Sequence, residues 1–349
     1  MNMRSIVITP SRPGSLRYEN IPRPSPAPGE VLVKIVEAGV CRTDIEIYDG
    51  LYGEAPAGSD FLVLGHEALG RLENGEFVVP MVRRSCGACE SCLAGEPDMC
   101  FTGNFVERGI KGLHGMFCEY IAESPRYLVP LPADARAYGV LAEPMSIVAK
   151  AVRQAEMMSR RVPRSPKRAL VLGAGPIGLL ATMVFRLLGL ETVTVARRPA
   201  SSAKAKIVEA CGGGYVSTGE VPVPSLAEKA GLFDLILEAT GDAGVAFDCL
   251  TASAVNGIVC FTSVTGGSGR RTIDPDRVNR ELVLGNRTIF GTVNANRGDF
   301  ETGLSYLKRI DLAYPGLLQK LFTSRVPFEK ALSVFPDQAE EIKTIIELA

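Results

Sequence analysis

Residues 169–178 read Ala-Leu-Val-Leu-Gly-Ala-Gly-Pro-Ile-Gly. An apolar run with the character of a buried strand ends at a glycine. It turns through Gly173, Ala174, Gly175, Pro176, Ile177 and Gly178, then continues as apolar, helix-forming sequence to Phe185. A lone G-x-G-x-x-G is a weak signal. Between a strand and a helix the three glycines serve different ends. The first makes the turn, the second lets backbone approach a pyrophosphate, and the third allows close helix–strand packing. The helix N-terminus then presents free N–H groups and the positive end of its dipole to phosphate. An ordinary glycine-rich turn is the competing reading. Residues 169–185 carry no charge and approach the length of a membrane span, but the turn within them argues for strand, loop and helix instead.

Working outward, the alternation continues. Strands are predicted at 169–172, 192–196, 234–239, 258–263 and 288–293, with a weaker one at 215–217, and helices begin near Pro176, Ser201, Ser225, Ala243 and Pro275. That spacing predicts a parallel, doubly wound sheet. Upstream, segments such as 31–36 and 77–82 are short, apolar or alternating, and bounded by Pro and Gly, which reads as β-rich. Beyond Asn294 come a helix at about 299–308, a second short one and a strand near the end. The expected organisation is a dinucleotide-binding domain at 148–293 inserted between two pieces, 1–147 and 294–349, of a catalytic domain.

The second strand of the block runs through Ala196 into Arg197 and Arg198. A carboxylate at that point would bind a ribose 2′-hydroxyl and repel a 2′-phosphate. Here none is present, and two guanidiniums can bind a phosphate. NADP is therefore expected in preference to NAD, with NAD use possible; two solvated surface arginines are the plainer alternative.

Composition sets bounds. With 349 residues the chain suits two domains of roughly 150 residues. Its 38 basic and 39 acidic residues give a net charge of −1, without the basic excess of a nucleic-acid binder. The N-terminus lacks an apolar export signal, so the expectation is a cytoplasmic protein with neither membrane nor nucleic acid as partner.

Of nine cysteines, four crowd into Cys86, Cys89, Cys92 and Cys100. Four thiolates so close together, with Gly87, Gly95 and Pro97 between them, suit a closed tetrahedral zinc site of structural role, in a lobe at about 84–102. An iron–sulfur cluster and unligated thiols stay open. Cys118, Cys211, Cys249 and Cys260 are isolated and read as core residues. A second, dispersed set comprises Cys41 in GVCRTD, His66 and Glu67 in LGHEALG, and Glu143 in LAEPMS. Taken singly these are a buried cysteine, a satisfied histidine and surface glutamates. Together they offer the N, O and S donors of a catalytic zinc with an open position.

In their order, Gly39-Val40-Cys41-Arg42-Thr43-Asp44, Gly65-His66-Glu67, the four-cysteine lobe and GAGPIG resemble the zinc-dependent medium-chain dehydrogenases, over nearly the whole chain. VRRSCGACESC, GNFVERGIKGLHGMFCEY, LAEPMSIVAKA and NRTIFGTVNANR are most similar to the archaeal-type glucose (aldose) 1-dehydrogenases. The resemblance implies an α/β fold: a doubly wound parallel Rossmann sheet plus a β-rich, GroES-like catalytic domain. It implies two zinc ions. One would be held by Cys41 and His66, with Glu67 and Glu143 ligating directly or through water, and the other by Cys86, Cys89, Cys92 and Cys100. Cys41, Thr43, His66 and Glu67 would carry the chemistry. Thr43, Glu107, Glu143 and Asn294 would face a sugar, and Phe261, Thr262, Thr292, Val293 and Asn294, at the ends of the fifth and sixth strands, would bind the nicotinamide half.

The implied reaction is oxidation of an aldose, glucose favoured, at C1 to the lactone, with hydride passing to NADP. Some relatives carry Asn where this chain has Ser91, an acidic residue at Ile147 and His at Leu284. Losing polar groups at Ser91 and Ile147 predicts looser discrimination among sugars. The alternatives are a polyol or secondary-alcohol dehydrogenase of the same fold and, more remotely, a non-catalytic protein that binds zinc and NADPH. A homodimer or homotetramer is the expected assembly.

Overall fold

Strand Arg168–Leu172 lies inside a six-stranded sheet. Its neighbours, in spatial order, are Gly214–Ser217, Glu191–Ala196, Arg168–Leu172 itself, Phe233–Glu238, Ser253–Phe261 and Thr288–Gly291, and every pairing is parallel. In chain order the strands run 3-2-1-4-5-6, the doubly wound arrangement, whose order reverses between the first and fourth strands. Leu170, Leu172, Val195, Phe233, Ile236 and Val259 fill the core on this sheet. Each such side chain contributes about 1.5–3 kcal/mol by leaving water. Helices Pro176–Leu187, Ala203–Ala210, Leu226–Ala230, Ala243–Asp248 and Pro275–Leu284 form the connections. Ser202, Asp242 and Asp274 cap three of them through side-chain oxygens. The sixth strand stops at Gly291, so Thr292, Val293 and Asn294 follow it rather than form its end.

In this computed structural model, which describes residues 1–265, 272–336 and 341–348, the sheet belongs to one of two compact units. It comprises Ile147–Val293 and Arg309–Leu317; the other comprises Met1–Ser146, Asn294–Lys308 and Leu318–Ala349. Sequence reading assigns 309–317 to the catalytic piece. Here that segment groups with Ile147–Val293, and helix Arg297–Ala313 spans the dividing point.

The other unit is built on an antiparallel sheet in which Leu128–Leu131, Phe77–Pro80, Glu67–Arg71, Val31–Val40, Lys343–Glu347 and Phe322–Pro327 follow one another, with Tyr120–Glu123 also paired to Val31–Val40. Only the last two strands pair in parallel. Its core contains Ile6, Val33, Ile35, Leu64, Phe117 and Phe335. A small sheet of Arg83–Arg84, Val106–Arg108 and Gly112–Leu113 flanks the cysteine lobe. No helix among the described residues is long and apolar enough to cross a membrane.

Candidate active site and metal centres

Strand Val31–Val40 delivers Cys41 to the N-terminus of helix Arg42–Tyr48. Asp44, fully buried in the first turn, organises what surrounds it. Its Oδ2 accepts the Cys41 N–H at 2.8 Å and its Oδ1 accepts the Gly65 N–H at 3.3 Å. The same Oδ1 lies 3.3 Å from His66 Nδ1, close enough for attraction but out of line for a hydrogen bond. Burial works against a charge on His66, but the opposing charges of Asp44 and Cys41 prevail and raise its pKa well above the usual imidazole value. With Nδ1 turned to Asp44, Nε2 is the nitrogen left for a metal.

Ligand atoms of Cys41, His66 and Glu67 all lie within 4.8 Å of one another. Glu67 enters from the adjoining strand, opposite Gly39. A Cβ on Gly39 would stand 2.5 Å from Glu67 Oε2 and 2.9 Å from Val140 Cγ1, so a larger residue there would have to displace the carboxylate. Glu67 also accepts a hydrogen bond from the Lys343 ammonium, and Lys343 Nζ donates to the Val40 carbonyl at 3.2 Å. Both side chains are 1% exposed, a fully desolvated pair. Glu143, at the start of helix Ala142–Ser159, is outside the three-ligand cluster. Burial and the neighbouring charge of Glu67 push its carboxyl above the ordinary range. Thiol, imidazole and carboxylate packed in this way fit a zinc ion, whose positive charge would ease the crowding of acids.

The four lobe cysteines are free thiols whose sulfurs stand 3.4 Å (Cys89–Cys92), 3.6 Å (Cys86–Cys100), 3.8 Å (Cys86–Cys92) and 3.9 Å (Cys89–Cys100) apart. Tetrahedral zinc with Zn–S bonds of about 2.3 Å needs edges of roughly 3.8 Å. The N–H groups of Ala88 and Cys89 point at Cys86 Sγ, and the Thr102 hydroxyl is 3.3 Å from Cys100 Sγ. These contacts hold both thiols below their usual range, toward the thiolate that a metal requires. The lobe therefore fits a closed zinc site.

Thr43 follows Cys41 by two residues, and its hydroxyl bonds to the phenol of Tyr52, whose pKa burial drives upward. Glu107 and Asn294, 187 residues apart, meet: Asn294 Nδ2 donates to Glu107 Oε1 at 2.5 Å. The same oxygen accepts from Arg83 Nε at 3.0 Å and Nη2 at 2.9 Å. Asn294 holds the left-handed conformation, φ 60°.

In the unit of the parallel sheet, Gly175 caps helix Pro176–Leu187 and a Cβ there would meet nothing within 4 Å, while one on Gly178 would lie 1.9 Å from the Gly173 carbonyl. Open space over the second glycine and contact at the third are what a pyrophosphate loop requires. Strand Glu191–Ala196 ends at Ala196; Arg197 is exposed and Arg198 half-buried. Their carbonyls are held by Ser217 Oγ at 3.5 Å and Tyr215 OH at 2.8 Å. Phe261 ends its strand, and its carbonyl accepts the Thr292 N–H at 2.9 Å. Thr262 donates through Oγ1 to the Glu238 carbonyl at 2.7 Å. Thr292 Oγ1 is buried without a partner among the described residues, Val293 is exposed, and the Val293 carbonyl accepts from buried Lys150 at 2.9 Å.

Residues 136–348 match the family model described as glucose dehydrogenase C-terminus, and residues 27–133 match the alcohol dehydrogenase GroES-like domain. The glucose 1-dehydrogenase of Methanocella arvoryzae is 44% identical over 99% of both chains, and that of Thermoproteus tenax 39% identical over 99% of both. The chain belongs to the glucose dehydrogenase branch of the zinc-dependent medium-chain dehydrogenases. A solved structure of Haloferax mediterranei glucose dehydrogenase in complex with NADP, Zn and gluconolactone is similar to it throughout. Its TM-score is 0.91 at 32% identity, covering 99% of each chain.

The geometry adds to the candidate site residues that sequence reading missed. Asp44 stands inside the quoted GVCRTD motif, and its place one helical turn after Cys41 was the available signal. Arg83 likewise stands in VRRSCGACESC. Tyr52 and Lys343 belong to no motif and carried no signal.

Proposed function

We propose that this chain oxidises an aldose, glucose foremost, at C1 to the lactone, with NADP as the hydride acceptor. The observation that carries the reading is the Cys41–His66–Glu67 cluster, in a chain whose glucose 1-dehydrogenase relatives match it end to end. When bound, zinc supplies Lewis acidity toward a substrate oxygen and NADP supplies the hydride-accepting ring.

The protein's own residues do the rest. Asp44 fixes Cys41 and His66 as ligands. Thr43, hydrogen-bonded to Tyr52, offers a hydroxyl through which the proton of the C1 hydroxyl can leave, while the C1 hydrogen passes to NADP as hydride. Lys343 neutralises Glu67 and so keeps a buried carboxylate within the cluster without an uncompensated charge. Glu107, with Oε1 saturated by Arg83 and Asn294, has Oε2 left to accept sugar hydroxyls. Such polar groups suit a polyhydroxyl substrate, whereas a simple alcohol favours an apolar pocket.

Zinc and sugar chemistry are assigned to 1–147 with 294–349, and dinucleotide binding to 148–293. Gly173, Gly175 and Gly178 with the first turn of the following helix would hold the pyrophosphate, and Arg197 and Arg198 the 2′-phosphate. Phe261, Thr262, Thr292 and Val293 would line the nicotinamide half. A cytoplasmic homodimer or homotetramer completes the reading. In its support, Thr288–Gly291 is an edge strand, and Val283 and Leu284 before it are exposed.

The experiment is a panel of three aldoses and one simple secondary alcohol, read as NADPH production in wild type and Glu107→Ala. A charged acceptor is worth about 1.5–3 kcal/mol, so kcat/KM for aldoses should fall roughly 10- to 150-fold in the variant and that for the alcohol far less. With Ser91 and Ile147 supplying few polar groups, more than one aldose should react. Oxidation of the simple alcohol alone would move the function to the secondary-alcohol reading.

A further inference from the structure

The four-cysteine lobe lies beside Glu107, and the bonds between them are specific. Glu107 Oε1 has two protein partners, Arg83 and Asn294. Arg83 bonds directly to one short stretch of the lobe, Glu96 to Asp98, and Asn294 is linked to the same stretch through its chain neighbour Asn296. Arg83 uses its remaining nitrogen, Nη1, to donate to the Asp98 carbonyl at 2.9 Å, and its guanidinium lies 4.0 Å from the Phe105 ring centre. Two residues beyond Asn294, Asn296 donates from Nδ2 to Glu96 Oε2 at 3.0 Å, while its Oδ1 accepts the Asp299 N–H at 2.9 Å as the cap of helix Arg297–Ala313.

The middle of the stretch is itself held by Cys100 and by the neighbour of Cys86. Ser85, next to Cys86, donates to the Pro97 carbonyl at 2.5 Å, and the Cys100 N–H donates to the same carbonyl at 3.2 Å. Closing the lobe around a metal thus fixes residues 96–98. Those residues fix Arg83 and Asn296, and through them the guanidinium and amide that aim Glu107.

We infer that the four-cysteine lobe is a positioning device for the sugar-binding carboxylate, so that its integrity sets affinity for the sugar as well as stability. The inference rests on the reading of Glu107 as a sugar contact. Of the two partners of Glu107 Oε1, Arg83 is hydrogen-bonded to the lobe directly, and Asn294 is tied to it through Asn296, two residues along the chain.

Three variants of the zinc-loaded enzyme test it, with Glu107→Ala as reference. Glu96→Ala removes the acceptor for Asn296. Asn296→Ser keeps a capping oxygen but loses the amide donor. Arg83→Lys keeps a cation beside Glu107 but cannot bridge to Asp98 as the guanidinium fork does. Each should raise the KM for glucose about 3- to 10-fold with kcat within about twofold, and leave the KM for a simple secondary alcohol unchanged. Independently of turnover, the rise in Tm produced by a fixed glucose concentration should shrink in each.

Unchanged glucose KM in all three, while Glu107→Ala weakens the sugar, overturns the inference. Equal shifts for sugar and simple alcohol do the same, because they mark a general loss of structure. If Glu107→Ala itself leaves sugar kinetics unchanged, the sugar-contact reading falls and takes the inference with it.

Discussion

At the scale of the residue, one absent side chain and one imidazole have measurable consequences. Ala196 ends the second strand of the parallel sheet, and residues 192–208 contain no Asp or Glu. Nothing anionic along them opposes a 2′-phosphate beside Arg197 and Arg198. Ala196→Asp should therefore reverse the preference from NADP to NAD, with a loss of roughly tenfold or more in kcat/KM for NADP; steady-state kinetics with both cofactors decide it. His114 is the second case. It stacks on Phe61 at 5.1 Å, and its Nδ1 accepts the Val63 N–H at 3.2 Å. Burial and then the Arg108 charge hold its pKa below the ordinary 6.5. The fold thus prefers neutral His114. This contribution to stability is complete above pH 6.5, where neither state binds the proton, and is lost as pH falls through the lowered folded value, because the unfolded chain takes up the proton first. Tm measured from pH 7 down to pH 5 should fall less steeply in His114→Gln than in wild type, and parallel curves would contradict this.

Elements explain what the sequence made legible. Strand, glycine turn and helix at 168–187 are contiguous, and so are the lobe cysteines, so their chemistry could be read from spacing alone. His66 and Glu67 are adjacent but lie 25 and 26 residues after Cys41, so the set needed the motifs around it. Strand Lys343–Glu347 shows the limit. It pairs antiparallel with Val31–Val40, Thr344 opposite Val40 and Ile345 opposite Gly39, which sets Lys343 beside Glu67 across 276 residues. A Lys in this sequence context reads as solvated, and only sheet pairing reveals it as the buried partner of Glu67, an acid of the candidate site. The same holds for Asn294 and Glu107, brought together by tertiary structure. Removing one partner of a buried ion pair leaves an uncompensated charge at a cost of about 3–5 kcal/mol. Lys343→Met should cost that much in metal-free protein and clearly less with zinc bound, since the cation then faces the bared Glu67. Denaturant unfolding with and without zinc measures both, and an equal loss in the two states would separate Glu67 from the metal.

At the scale of the whole molecule, the candidate ligand sites fall in different units. Both cysteine-containing metal clusters lie in the unit formed by Met1–Ser146, Asn294–Lys308 and Leu318–Ala349, and the glycine loop lies in the other. Each unit has its own buried core, one around Ile35 and Phe117 and one around Leu172 and Phe233. A ligand stabilises the state that binds it by RT ln(1 + [L]/Kd), about 2.7 kcal/mol at a hundredfold excess over Kd, and structural zinc contributes folding free energy directly. Zinc and NADP should then act on different transitions. Metal analysis should give two zinc ions per chain, one in Cys41→Ala with the fold retained and activity nearly abolished. Chelation should lower one calorimetric transition, and NADP should raise another by several degrees, at roughly 2–4 °C per kcal/mol. In chelated protein the NADP-dependent transition should persist, because Gly173, Gly175 and Gly178 depend on no metal for their geometry. A single transition displaced equally by zinc and by NADP would mean that the two cores unfold as one and that each ligand stabilises the entire chain.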